Sequence, residues 1–513
     1  MTRRVPTVAP GSRVRLHQAF RCCPYAGTVY SQIADFFEQN GMTLVHGDGE
    51  ADLHVVHSCG SDAAQSQLSF DALHALEGTK AGVLLTGCLS RIDPKGVEAA
   101  LAPFGAAARF GPPELERLSE TLGAPQVAWD DVLPTPTRPY GGNDFSETYR
   151  HVLASVGCLG TCGFCAIRRA TGRPKSRPIE AILADVDAGI AAGQRDQLIV
   201  STDLSAWGTD LSSDVVALIE ALNAHRPGEV LYAAESFEPT LLLAHGDRLL
   251  PLLASGRWAV LGVPIQSGSR RMIGRMARDY DPDAVIAWVR QLKALAPETL
   301  TRTDILFGYA DETDEEFEAS IVASRAFDLP SYNVYQPRPG TEPLQLGPEI
   351  LAARRARATE ELYARAVAGL AEIPLWGGHR QRSRYGAGSA DPTTQLVRPA
   401  DGSPWASDEG RAWIEAKASR LSRALRPAMP LGHGWRLVAA EAAADAVVLV
   451  AQAGNHVVEI GLRPASWPGQ HGWTGRSVRL WIRSADVPPD FDPVLKALLA
   501  ALDRAQPPAA APR

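Results

Sequence analysis

The chain has 513 residues, 45% hydrophobic and 21% charged, with a formal net charge of −7. That balance is ordinary for a globular protein and lacks the broad basic footprint that nucleic-acid binding usually carries. No apolar run reaches the ~18 residues of a membrane span. The N-terminal MTRRVPTVAPGSRV also lacks the apolar core of a secretory signal, so the expected location is cytoplasmic. Seven cysteines (Cys22, Cys23, Cys59, Cys88, Cys158, Cys162 and Cys165) all fall in the first third of the chain. An odd number in a cytosolic chain of this size excludes a disulfide framework and leaves metal ligation or redox chemistry. The length predicts about three domains of roughly 150 residues.

In chain order, residues 12–130 read as a parallel α/β domain. TVYSQIADFFEQNGM predicts a helix closed by Gly41, and ADLHVVHSC and AGVLLTGC predict buried strands that each end in cysteine. Ligand-bearing residues of parallel sheets gather beyond the strand C-termini, so Cys59 and Cys88 should converge. Residues 131–147 are rich in Pro and Gly and read as a linker. Residues 148–372 alternate again between strands (YRHVLASVG, QLIVSTD, EVLYAAES, WAVLGVPI, TRTDILFG, SYNVYQ) and helices such as IEAILADVDAGIAAG and DPDAVIAWVRQLKALA. About six such units predict a partial or full (β/α) barrel with its site at the strand C-termini. An amphipathic helix, GPEILAARRARATEELYARAVAGLA, closes this domain. Residues 373–430 read as an irregular connection, 431–505 as a small α+β or β-rich domain ending in the helix FDPVLKALLAALD, and 506–513 as a disordered tail.

The chemistry concentrates in SVGCLGTCGFCAIRR, where Cys158, Cys162 and Cys165 are spaced C-x3-C-x2-C. Closely spaced thiolates hold iron–sulfur cubes, commonly four per cube. Three leave one iron open, as catalytic metal sites leave a position for substrate. Gly157, Gly160 and Gly163 suit a tight loop around a cofactor. With Phe164 before the last cysteine, this stretch resembles the signature of radical S-adenosylmethionine (SAM) enzymes. In that superfamily SAM chelates the open iron and is cleaved to a 5′-deoxyadenosyl radical, while the protein supplies placement and shielding.

The resemblance continues through residues 148–345 and narrows to the methylthiotransferases. GRPKSRPIEAILADV, STDLSAWGTDL, GVPIQSGSRRMIGRMAR, TRTDILFGYADETDEEFEAS and YQPRPGTEP are similar to motifs of that family in the family's order. At the N-terminus HSCGSDAAQSQ and LLTGCLSR match the family's second and third ligands of an auxiliary cluster, at Cys59 and Cys88. For the first ligand AFRCCPYAG offers two residues: the phrase F-R-C favours Cys22, which is the expectation here, and Cys-Pro favours Cys23. His57 stands where the family has Asn, either adjusting the cluster by a hydrogen bond or facing loop backbone. Ala310-Asp311 replace the family's Pro-Gly.

The resemblance implies two [4Fe-4S] clusters, SAM, and an external electron donor of flavodoxin or ferredoxin type. It also implies insertion of methylated sulfur at an unactivated C–H bond, with both clusters facing one cavity. The residues expected to contact the cofactor are Phe164, Arg177, Ser201, Asp203, Gln266 and Ser267. The wording of SCGSDAAQSQ and STDLSAWGTDL is nearest the branch that modifies a ribosomal protein. The C-terminal region departs from the family's five-stranded TRAM barrel. It holds Trp405, Trp413, Trp435, Trp467, Trp473 and Trp481, six of the chain's eleven tryptophans, and no dense basic run. A protein, peptide or natural-product substrate is therefore expected over RNA. A tRNA adenosine methylthiotransferase and a non-catalytic binding protein are the alternatives.

Overall fold

A computed structural model describes residues 4–20, 23–46, 50–132, 149–297, 299–355, 357–358 and 361, and five strands between 429 and 483. The chain divides into two compact units, residues 1–327 with 333–351, and residues 328–332 with 352–513.

The first unit begins with β1 (Arg13–Ala19), α1 (Pro24–Gln39), β2 (Thr43–Leu44), β3 (Leu53–Ser58), α2 (Ala63–His74), β4 (Gly82–Gly87), α3 (Leu89–Ile92), α4 (Pro94–Leu101) and β5 (Ala107–Phe110). The strands form a sheet of order β2-β1-β3-β4-β5, parallel at every pairing. β3 is buried along its whole length, as a central parallel strand covered on both faces should be. Helix α1 starts where Pro24 occupies its first turn and the Cys23 side chain caps it. It ends before Gly41, which takes φ +82°, as the sequence predicts.

Gly87 closes β4 with φ +95°, and a Cβ there would lie 2.2 Å from the Ser58 carbonyl oxygen. The ends of β3 and β4 can abut only because this residue is glycine, and the abutment brings Cys59 and Cys88, each one residue past its strand, to the same edge of the sheet. Gly87→Ala is expected to destabilise the fold by roughly 1–3 kcal/mol through backbone strain alone, read as a lowered thermal midpoint. An unchanged midpoint would show that the strand ends can separate.

The chain then runs through β6 (Arg150–Val156), α5 (Ile167–Thr171), β7 (Lys175–Ser176), α6 (Ile179–Ala191), β8 (Asp196–Ser201), α7 (Val215–Ala224) and β9 (Leu231–Ala234). It continues through α8 (Pro239–Ala244), α9 (Gly246–Leu253), β10 (Trp258–Gly262), α10 (Arg270–Arg275), α11 (Pro282–Leu295), β11 (Leu300–Phe307), α12 (Asp314–Ser324) and β12 (Leu329–Val334). Within the first unit the sheet order is β11-β10-β9-β8-β6-β7. From β6 through β11 the large strands are parallel, while the short β7 pairs antiparallel with β6. This is the partial barrel expected from the strand–helix alternation. Thr28 of α1 meets His151 of β6 at 2.9 Å, Oγ1 to Nδ1, and ties the first sheet to the second.

In the second unit β13 (Met429–Gly432), β14 (Trp435–Ala442), β15 (Val447–Ala453), β16 (His456–Arg463) and β17 (Arg479–Arg483) form an antiparallel sheet in chain order. The expected linker core, the irregular connection before β13, the FDPVLKALLAALD helix and the tail lie outside the described residues; of the helix that closes the barrel domain, residues 348–355 are helical. Among the described residues no helix is long and apolar enough to cross a membrane.

Candidate functional site

The C-x3-C-x2-C loop leaves the C-terminal end of β6 through Gly157, whose φ is +100° and whose Cβ would lie 2.1 Å from the Arg173 carbonyl oxygen. The loop is thereby folded back against the chain that follows it, and the Cys158 N–H donates to the Gly172 carbonyl at 3.0 Å. At its apex a Cβ on Gly160 would sit 3.2 Å from Cys158 Sγ and 3.3 Å from Cys162 Sγ, so both sulfurs crowd one bare backbone position. The Gly160 N–H donates to Cys158 Sγ at 3.1 Å. The Gly163 N–H donates to the Met276 carbonyl at 3.1 Å, and Phe164 packs edge-on against Tyr309. Burial pushes the Cys158 and Cys165 thiols up, and the Asp203 charge adds to the effect at Cys158. Such thiols release their protons when a cation or cluster arrives to compensate the thiolate charge.

The strand-end residues predicted to contact a cofactor divide into two sets. Asp203 reaches the loop, with Oδ2 accepting from Cys158 Sγ at 3.5 Å. Its Oδ1 is buried with no hydrogen-bond partner among the described residues. Burial above all, then the charge of Glu238, raises Asp203 to about 7. Ser201 links the ends of β8 and β6 through a 2.7 Å contact with Ser155 Oγ and accepts the Asp203 N–H at 3.1 Å. Gln266 takes φ +61° beside β11, a conformation rarely held by a non-glycine residue and often found at functional sites. Ser267 and Arg177 are engaged elsewhere. Ser267 is fully buried and meets Ser320 of α12 at 3.1 Å, Oγ to Oγ. The Arg177 guanidinium donates to Asp185 at 2.6 Å and to the Leu153 carbonyl at 2.8 Å, so the carboxylate it holds is the protein's own.

The second trio is built on the ends of β3 and β4 and the start of α1. Cys59 is 4% exposed and donates its N–H to Ser69 Oγ at 3.2 Å. Cys59 shares an apolar cluster with Phe20 and Ala26, against which Cys23 packs. Cys88 is raised by burial first, then by the nearby Cys59, Cys23 and Cys165 thiolates. Cys22 lies outside the described residues. Cys23 is the one seen here, at the α1 N-cap, its Sγ accepting the Ala26 N–H at 3.4 Å. His57 turns its Nδ1 to Thr86 Oγ1 at 2.8 Å, and burial lowers it to about 3, so it is neutral at ordinary pH.

The two trios adjoin one another. Cys88 packs with Ile92 against Ala166, which follows Cys165 and caps α5, and against Ala170 within α5. A cavity of ≈ 250 Å³ is lined by Cys23 and Tyr25 from the first sheet's domain, by Ile167, and by Ser201, Glu235 and Arg302 at the barrel strands. The loop after β12 braces the same region. Gln336 accepts the Ala63 N–H at 3.1 Å, and Arg338 donates to the Gly60 carbonyl at 3.2 Å and to Ser66 Oγ. On its other side that loop receives Arg169, which donates to the carbonyls of Pro339 and Gly340. Arg338→Ala is expected to speed alkylation of Cys59 in metal-free protein about tenfold, since a charged hydrogen bond contributes roughly 1.5–3 kcal/mol. Peptide mapping would read the rate, and no change would show that the Cys59 loop is held without Arg338.

Among the described residues three or more His, Cys, Asp or Glu side chains nowhere converge closely enough to grip one bare ion. The fit to a cluster therefore rests on the chemistry of the donors, soft thiolates in two sets of three, and on the bare Gly160 cradle. The sequence model of the Radical SAM superfamily matches residues 152–322, the span that begins in β6 and carries the first trio. The chain carries a radical SAM domain. Across a wider span the chain is 28% identical over 348 residues to the ribosomal protein uS12 methylthiotransferase RimO of Alkalilimnicola ehrlichii, covering 65% of this chain and 77% of the relative. It is 27% identical over 374 residues to the enzyme of the same name from Xanthomonas campestris, covering 68% and 80%. These relatives bear out the expected resemblance to radical SAM methylthiotransferases. Among solved structures, the radical SAM methyltransferase TsrM of Kitasatospora setae aligns with a TM-score of 0.49 at 14% identity, covering 64% of this chain and 73% of that one.

Proposed function

We propose that this radical SAM protein is a two-cluster methylthiotransferase that inserts sulfur at an unactivated C–H bond of a protein or peptide. The observation that carries the reading is the adjacency of the trios: Cys88 of one set packs against Ala166, the residue after Cys165 of the other. When loaded, a cluster on Cys158, Cys162 and Cys165 would supply the electron that cleaves SAM, and one on Cys23, Cys59 and Cys88 would supply the sulfur. The loops hold the first three sulfurs at the C-terminal end of β6, where parallel barrels bind their ligands. The cavity lined by Cys23 of one set and by Ile167, two residues after Cys165 of the other, would offer the reacting carbon a place between them, which a short-lived radical requires. Asp203 and Gln266 present polar groups at those strand ends. Cys23 in place of the expected Cys22 takes the first auxiliary position in this reading, because its side chain packs against the cluster that holds Cys59 and its charge acts on Cys88.

The curated relatives are named for a ribosomal protein, which favours a protein substrate over the tRNA alternative. The electron would come from an external donor of flavodoxin or ferredoxin class. Anaerobically reconstituted full-length protein, given SAM, a reductant and ribosomal protein uS12, is expected to form 5′-deoxyadenosine and a thiomethylated protein. Thiomethylated tRNA in the parallel arm would move the reading to the RNA branch. No SAM cleavage in any arm would leave the non-catalytic reading.

A further inference from the structure

Helix α10 ends in a Schellman turn: the Arg278 N–H bonds the Ile273 carbonyl at 3.0 Å and the Ala277 N–H bonds the Gly274 carbonyl at 3.0 Å. The residue between, Ala277, takes φ +56° where such turns normally use glycine. The turn brings the Arg278 side chain back onto the cluster loop. Its Nε–H donates to Cys162 Sγ at 3.2 Å, and its guanidinium carbon stands 5.5 Å from the centre of the Phe164 ring. Nη1 donates to the Pro264 carbonyl at 3.3 Å and faces Glu238 Oε1 at 3.5 Å, with the arginine side chain only 10% exposed. A lysine could not make these contacts together, because the planar fork is what lets one nitrogen face sulfur while another faces oxygen.

We propose that Arg278 is a positioning and potential-setting residue for the cluster that Cys158, Cys162 and Cys165 would hold. Hydrogen bonds to ligand sulfurs and nearby charge are the protein's main means of setting the reduction potential of such clusters. A buried cation bonded to Cys162 stabilises the extra negative charge of the reduced state. Glu238, whose carboxylate faces Nη1, opposes it. The inference uses only the radical SAM domain and is independent of whether the second trio holds a cluster.

The test is a one-electron titration with titanium(III) citrate, followed by electron paramagnetic resonance, on full-length reconstituted protein. A Cys59→Ala background leaves only the first trio's cluster to titrate. Arg278→Gln is expected to lower the reduced-to-oxidised ratio about tenfold at a fixed potential, a shift of about 59 mV to more negative values for one electron. Glu238→Gln is expected to shift the ratio the opposite way. An unchanged ratio in Arg278→Gln at full iron content, or shifts of the same sign in both variants, would overturn the proposal. Should Arg278→Gln fail to take up iron, Glu238→Gln decides: a more positive potential supports the proposal and no shift refutes it.

Discussion

Cys162→Ala is expected to lower 5′-deoxyadenosine formation by roughly a thousandfold or more, about 4 kcal/mol of barrier at 1.4 kcal/mol per factor of ten. Cys162 is 6% exposed and stands between the Gly160 cradle and Arg278, so its loss removes a ligand and leaves a buried guanidinium donor without its acceptor. The same loss should follow at Cys158 and Cys165, because three thiolates are the fewest that hold a cube while leaving one iron open. Chromatographic quantification of 5′-deoxyadenosine reads the effect. Retention of even a tenth of the wild-type rate in Cys162→Ala would remove the loop from the chemistry.

Cys59→Ala is expected to separate the two halves of the reaction. Thiomethylated product should fall by more than about a hundredfold, because losing a ligand costs more than the roughly 10–100-fold of losing a group that only supports one, while reductive SAM cleavage continues. The substitution is small and the site is apolar, with Phe20 and Ala26 beside it, so alanine fits the space without unfolding the strand end. Mass spectrometry of the substrate alongside 5′-deoxyadenosine analysis reads both halves in one incubation. Wild-type product from Cys59→Ala would end the two-cluster reading, and joint loss of both signals would mean that the second trio supports the first.

Much of the site is legible in the chain because its geometry is local. The C-x3-C-x2-C spacing and its glycines determine a loop, and cysteines at the ends of two adjacent parallel strands must converge whatever surrounds them. The choice between Cys22 and Cys23 is not local in that way. It turns on which residue caps α1, and a shift of one residue at a strand–helix junction leaves the pattern of apolar residues unchanged. Ser267 and Arg177 show a different gap. Polar residues at strand ends read as facing a ligand, yet the φ of +61° at Gln266 sends the next residue into α12, and Arg177 finds an acid within its own strand–helix unit. Arg278 lies 116 positions from Cys162, and nothing in a single sequence pairs them; only the turn at Ala277 does. In the C-terminal unit, apolar runs anticipate the four strands β14 to β17 but not the short β13, which begins inside the expected irregular connection. Trp435 and Trp481 fall in β14 and β17, and the other tryptophans of that region lie outside the described residues.

Iron and acid-labile sulfide analysis of the anaerobically reconstituted full-length protein tests the two-cluster account most directly. Two cubes predict about eight irons and eight sulfides per chain, falling to about four of each in Cys59→Ala and in Cys162→Ala alike. A wild-type value of about four, unchanged by Cys59→Ala, would contradict it.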